Sequence, residues 1–317
     1  MLNRRHLRVK VLQSLYAFYQ SHEHDLAAGE KQLFFGIEKI YDLYIYQLSL
    51  LAELLVQEER TMEDNLLKRL PTHEDLHPKR AFLENKCLVK IAGDVRLQKL
   101  ASQKRISWSN DRDLVRKLLA RIRQQPYYWE YLETTQHDLG EDTRFVLKMF
   151  KRDILPFELL HHFYEEKSIY WLDDWELVNK MIIKTLKLSV EAGGQLQLMK
   201  LFKEEDDRRF ALELFRKTIL NHDHFDRIIS AKTKNWDIER IAIMDIIIME
   251  MALSEILKFP EIPVKVSLNE YIELSKMYST PKSKVFVNGV LDKLVEEFVR
   301  DGKIGAHETG FSAPASE

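Results

Sequence analysis

Residues 238–257 read IERIAIMDIIIMEMALSEIL, and this stretch decides the fold class. Its Ile, Met, Ala and Leu side chains fall around most of a helical wheel rather than along one stripe. That is the pattern of a helix buried on most sides at the centre of a helical domain. The polar residues Glu239, Arg240, Glu250 and Ser254 gather on one side at helical spacing. Asp245 does not. It projects from the apolar side, where a lone carboxylate is costly unless paired. Either a neighbouring helix of the same chain supplies a donor, or the site faces another protein.

Downstream, Pro260 and Pro263 bracket a short connection, and Pro263 suits the first turn of a helix predicted to run to about residue 278. A last helix is expected with Thr280 as N-cap and Pro281 at its first position, continuing through Phe298. Gly289 sits inside it at a cost of about 1 kcal/mol relative to Ala. Close approach of another backbone is the expected reason. The tail 301–317 is small and polar and reads as disordered.

Upstream, residues 3–20 form an amphipathic helix with Leu7, Val11, Leu12, Leu15, Phe18 and Tyr19 on one face. Arg4, Arg5, Arg8 and Lys10 crowd its first turns, where positive charge opposes the helix macrodipole. Solvated surface charge is one reading. The other is a contact to nucleic-acid phosphates. A second helix covers about 26–59. Residues 60–205 remain helical in pattern, with breaks near Pro71, Pro78, Ser107, Pro126 and Gly140. Trp108, Trp129, Trp171 and Trp175 lie there, and aromatics at helical spacing read first as core.

Composition agrees with an all-α chain. Only 10 Gly and 8 Pro occur in 317 residues, too little punctuation for a β-rich fold. The net charge is −2 and the pI near 6.6, so any RNA binding must use a local basic patch. The single cysteine, Cys87, excludes an intramolecular disulfide and paired-cysteine zinc sites. No apolar run is long enough to span a bilayer and no secretory layout opens the chain, so a cytoplasmic protein is expected. Phosphate-cradling glycine loops and nucleophile elbows are absent. His161, His162, Glu165 and Glu166, and separately His222, Asp223 and His224, read as surface polar clusters ahead of metal sites. The expectation is a non-enzyme without cofactor or metal.

Two separated segments carry a resemblance. The first is NRRHLRVKVLQSLY at 3–16. The second comprises WDIERI at 236–241, ALSEIL at 252–257, IPVKVSLNE at 262–270 and FVNGVLDKL at 286–294. In order and spacing these resemble the NusB family of transcription antitermination factors. The resemblance implies a fold of two packed helical bundles, divided here into an N-terminal part at 1–59 and a C-terminal part at 206–300. Residues 60–205 are then a helical insertion of unassigned role.

The resemblance further implies binding of boxA-type single-stranded RNA together with ribosomal protein NusE. It also implies action on the RNA polymerase elongation complex during ribosomal RNA transcription. On that pattern Arg4, Arg5 and Arg8 match the arginine-rich element, with Lys10 as a local addition. Lys282, Ser283, Lys284 and Phe286 match a second RNA-contacting region. Phe286 or Tyr16 would offer a stacking face to an unpaired base, with core packing as the alternative for both and the preferred one for Tyr16. Asp245 aligns with an acidic position near the NusE interface. Glu250 stands where relatives often carry arginine, so contacts there do not carry over. NusB-like domains also precede ribosomal RNA methyltransferase domains, but the glycine-rich cofactor loop and catalytic cysteine of those enzymes find no match. A helical protein-binding scaffold without RNA binding is the remaining alternative.

Overall fold

Asn3 sets the start of the first helix. Its side-chain oxygen accepts from the His6 N–H at 3.0 Å, and His6 Nδ1 accepts from the Asn3 N–H at 3.3 Å. This reciprocal pair satisfies two backbone donors that would otherwise lack partners. The resulting helix α1 (Arg4–Gln20) buries Leu7, Val11, Leu12, Leu15 and Phe18.

The computed structural model describes residues 2–21, 25–134, 136–233 and 242–305. Among these the regular structure is helical. After α1 come α2 (Leu26–Leu66), α3 (His73–Leu76), α4 (Lys86–Ala92), α5 (Val95–Gln103), α6 (Arg112–Arg123), α7 (Pro126–Glu133) and α8 (Leu139–Met149). They are followed by α9 (Glu158–Lys167), α10 (Trp175–Glu191), α11 (Glu205–Leu220), α12 (His222–Lys232), α13 (Ile243–Lys258), α14 (Val264–Tyr278) and α15 (Ser283–Arg300). The WDIERI motif and residues 306–317 of the expected disordered tail lie outside the described residues.

The chain forms two compact units. One combines Leu2–Ile37 with Phe202–Glu317, and the other is Glu38–Leu201. Boundaries expected at 59/60 and 205/206 thus stand beside unit divisions at 37/38 and 201/202, the first of them inside α2.

In the unit that combines Leu2–Ile37 with the chain from Phe202, α13 packs against α1, α11, α12, α14 and α15. Every residue from Ile247 to Ile256 is buried, and each fully buried aliphatic side chain contributes about 1.5–3 kcal/mol. This corrects the polar face predicted for the helix. Glu250 and Ser254 are fully buried because helices cover α13 on that side too, while Glu239 and Arg240 lie outside the described residues.

Two glycines in this unit behave differently. A Cβ at Gly29 would lie 2.9 Å from Phe18 Cδ2 and 3.0 Å from Phe215 Cζ, so α2 approaches the edge-to-face Phe18–Phe215 pair only because that position lacks a side chain. At Gly289 a Cβ would meet nothing within 4 Å. The close approach predicted there is absent among the described residues, and a side chain at that position would enter open space. The last helix also starts later than expected, at Ser283. Thr280 and Ser283 close a turn before it, with the Ser283 N–H donating to the Thr280 carbonyl at 2.9 Å.

The unit Glu38–Leu201 is built around aromatic residues. Trp108 stacks on Phe163 at 5.2 Å and meets Tyr46 edge-on at 4.7 Å, and its Nε1–H donates to Ser49 Oγ at 3.2 Å. Tyr44 and Gln47 of α2 bond to Thr185 and Asn179 of α10 at 2.6 and 3.1 Å. A second cluster joins Phe82, Tyr128, Tyr131 and Phe145, with Tyr131 stacked on Phe145 at 3.9 Å. Trp108 and Trp171 are core residues as read from the sequence, whereas Trp129 is 42% exposed.

Candidate nucleic-acid interface

The two basic elements picked out from sequence both belong to the unit of α1 and α11 to α15, where α1 and α14 pack on the central α13. Arg8 is the surprise. Its Nε–H and Nη2–H donate to the two carboxylate oxygens of Glu255 in α13 at 2.8 and 2.7 Å, and Nη1 stands 3.5 Å from Glu270 in α14. Glu255 also accepts from Ser267 Oγ at 2.6 Å and from the Tyr271 hydroxyl at 2.9 Å. Arg8 and Glu255 are both buried. Burial alone would lower the Arg8 pKa, but the bonds and charge of Glu255 outweigh it and hold the guanidinium charged. Arg8 therefore ties α1 to the family-like α13 and α14 segments, and its assignment to RNA is corrected.

Arg5 is half-exposed on the adjacent turn. It grips Glu270 through Nε and Nη2 at 2.8 and 2.6 Å, and this hydrogen bond is the main reason the Glu270 carboxyl is held below its ordinary range. Glu273, one turn further along α14, is bonded to Lys276. Lys276 is the chief cause of its lowered pKa, with Arg5 and Lys284 adding to it. Arg5 from the first segment and Lys284 from the last are both exposed residues of the same compact unit. Lys282 and Lys284 are exposed.

Arg4 points elsewhere. It lies 3.9 Å from Asp206 and its guanidinium sits 4.9 Å over the Phe210 ring, beside a cleft of about 360 Å³ that Lys258 and Phe259 also line. The positive charge at the start of α1, unfavourable to the macrodipole, is in this way answered by Glu255, Glu270 and Asp206.

Three further expectations need correction. Lys10 is 3% exposed, so it is an interior residue and not a phosphate contact. Phe286 is buried in α15, which leaves no face for a base to stack on, whereas Tyr16, expected in the core, is 39% exposed. Asp245 is 4% exposed and accepts from Ser283 Oγ of α15 at 2.7 Å. The donor comes from the same chain, so the carboxylate faces inward rather than toward a partner. Its Oδ1 accepts no hydrogen bond from a described residue.

Glu250 is buried and accepts from Tyr19 at 3.2 Å, with His222 Nδ1 at 2.8 Å. Burial pushes its carboxyl up to about 7, against the pull of His222 and the Tyr19 hydroxyl. His162 meets Glu165 at 3.4 Å on the surface. Among the described residues no three His, Cys, Asp or Glu side chains are placed to hold a metal ion, and no helix is long and apolar enough to cross a membrane.

Glu255, Ser267, Glu270 and Tyr271 were not singled out from the sequence as partners of the arginines. The signal was present, because the first three fall within the ALSEIL and IPVKVSLNE segments that carry the resemblance.

The family model described as the NusB family matches residues 172–296. The chain is 39% identical over 132 residues to the transcription antitermination protein NusB of Salinibacter ruber, which covers 39% of this chain and 82% of that protein. The chain belongs to the NusB family. A second NusB, from Alkaliphilus oremlandii, is 39% identical over 94 residues, covering 30% of this chain and 68% of its own length. The NusB of Chloroherpeton thalassium is 39% identical over 101 residues, covering 32% of this chain and 47% of its own. A stretch that is 39% of this chain makes up 82% of the Salinibacter protein, so this NusB-family chain is about twice as long. No solved structure matches it significantly.

Proposed function

We propose that this chain is a transcription antitermination factor that binds boxA-type single-stranded RNA together with ribosomal protein NusE and supports ribosomal RNA transcription. The observation that carries the RNA reading is the exposure of Arg5 on α1 and of Lys282 and Lys284 at the start of α15, within one compact unit. On this reading the two cationic elements together supply the local positive charge of a protein whose net charge is −2. Affinity then comes from phosphate neutralisation by Arg5, Lys282 and Lys284, with Arg4 at the margin. Of the two aromatics offered for stacking, Phe286 and Tyr16, it is Tyr16 on α1 that is exposed, and it takes that role. The extra length is read as an insertion in the middle of the chain, a reading that the uninterrupted compact unit Glu38–Leu201 supports. The family match begins at residue 172, inside the compact unit that ends at Leu201.

The test is binding of boxA-type and scrambled RNA by the chain with NusE, for the wild type and for the Arg5→Ala/Lys282→Ala/Lys284→Ala variant. The variant is expected to bind boxA more weakly, with the salt slope reduced by roughly one for each phosphate that is no longer neutralised. Unchanged affinity and slope would remove this patch. Absence of any boxA preference in the wild type would leave a protein-binding scaffold, a reading that the near-neutral charge and the Arg5–Glu270 pair favour.

A further inference from the structure

Two neighbouring helices of the unit Glu38–Leu201 present exposed surface of a single sign. Along α8 and the π-helical turn that continues it, Phe150–Ile154, the exposed residues between Asp142 and Leu155 are Arg144, Lys148, Lys151 and Arg152. Along α10, the exposed residues between Glu176 and Glu191 are Lys180, Lys184 and Lys187. Spacings of three and four residues keep each row on one side of its helix. Solvated helix faces ordinarily mix both signs, and the whole chain carries a net charge of −2.

The acids nearby do not cancel these rows. Asp142 and Asp153 are buried and accept from the Tyr131 and Tyr127 hydroxyls, and Arg121 of α6 stands 3.5 Å from Asp153. Glu141 pairs with Arg144 at 3.9 Å and Glu176 with Lys180 at 2.6 Å, each at the end of its row. Lys148 lies 4.9 Å over the Tyr127 ring. Lys151, Arg152, Lys184 and Lys187 form no ion pair among the described residues.

The rows also meet. α8 packs on α10, and Arg144 and Leu147 share with Lys187 and Val190 a shallow depression of about 450 Å³. Asp138 and Glu191 line it too, but Asp138 is engaged in capping α8, where it accepts from the Glu141 N–H at 2.6 Å. From this depression one row continues along α8 toward Arg152, and the other runs back along α10 toward Lys180. Residues four apart stand roughly 6 Å apart along a helix, comparable with successive phosphates of an extended strand.

The chemistry of the two faces selects among polyanions. Among the described residues neither face exposes a large apolar or aromatic side chain, since Leu147 and Val190 are half-buried and Phe145 and Phe150 are buried. An acidic peptide binds through buried anchor residues, and a membrane surface through an apolar face that inserts. A phosphodiester backbone needs only cations, because counterion release drives its binding.

We infer that these two rows hold the phosphodiester backbone of a single-stranded nucleic acid without reading its bases. The site is separate from Arg5, Lys282 and Lys284, and it stands whether or not those residues bind boxA.

Fluorescence anisotropy of labelled oligouridylate, which contains no boxA, tests this on full-length chains across a salt series. Lys148→Gln/Lys151→Gln/Lys184→Gln/Lys187→Gln should weaken binding by roughly tenfold or more. It should also reduce the slope of log affinity against log salt by about 3, since each single-strand phosphate contact contributes about 0.7. Replacing the same four lysines by arginine should preserve both, and thermal midpoints show that the variants are folded. The Arg5→Ala/Lys282→Ala/Lys284→Ala chain should still bind oligouridylate through the four lysines, and should bind oligothymidylate DNA comparably because no 2′-hydroxyl is read. An unchanged slope in the glutamine variant, or loss of all binding in the Arg5/Lys282/Lys284 variant, overturns the inference. So does RNA binding without DNA binding in that variant, or polyglutamate or phosphatidylserine vesicles binding as tightly as the RNA.

Discussion

Replacing Arg8 separates its structural role from an RNA role. In Arg8→Met the apolar stem is retained and the guanidinium removed, leaving Glu255 fully buried with only the Ser267 and Tyr271 hydroxyls as donors. Breaking one partner of a buried pair costs about 3–5 kcal/mol, and the two remaining hydroxyls place the expected loss at the lower end, about 3 kcal/mol. Removing the stranded charge as well, in Arg8→Met/Glu255→Gln, should recover about half of it, a coupling on the order of 1.5 kcal/mol. Because the chain has two compact units, hydrogen exchange of α14 amides is the appropriate readout, supplemented by urea unfolding. Exchange should accelerate in α1, α13 and α14 in the single variant and slow again in the double. An Arg8→Met protein of wild-type stability that has lost RNA binding would refute this reasoning and return Arg8 to the RNA face.

Further predictions concern single sites. Glu250 is raised by burial from its ordinary 4.5 to about 7, so the native state holds a proton that the unfolded chain releases. Stability should therefore fall as pH rises from about 4.5 to 7, by on the order of 3 kcal/mol. His222, Tyr19 and Asp226 are the groups facing it, and Glu250→Gln should flatten the slope of thermal midpoint against pH; parallel slopes would contradict the assignment. Gly289→Ala introduces a Cβ into open space on a helix and should raise stability by about 1 kcal/mol in urea titration. A loss there would show that something approaches that face after all.

The fold class was legible because apolar periodicity is local. The central helix, the amphipathic first helix and the core role of Trp108 follow from neighbours in sequence. Which charges are interior was not legible. Arg8 and Arg5 look alike in NRRHLRVK, yet one is buried and the other half-exposed, because their carboxylate partners lie 247 and 265 residues away. Arginines clustered at a helix start are read as a phosphate site only while the acids that answer them are out of view. Gly289 failed for a related reason. A mid-helix glycine marks a permitted approach, and sequence cannot say whether anything makes it.

The discontinuous unit has a consequence for the order of events during synthesis. Glu38–Leu201 is one uninterrupted stretch, but α1 cannot find Glu255 until a further 247 residues have been made. At about 5–20 residues per second this is a delay on the order of tens of seconds. During that time Leu7, Val11, Leu12 and Leu15 have no core to enter, while the intervening unit has its complete sequence and is free to fold. The nascent chain thus carries an exposed adhesive amphipathic segment while the intervening residues are made, and chaperones that hold such segments are expected to matter more for this protein than for a NusB half its length.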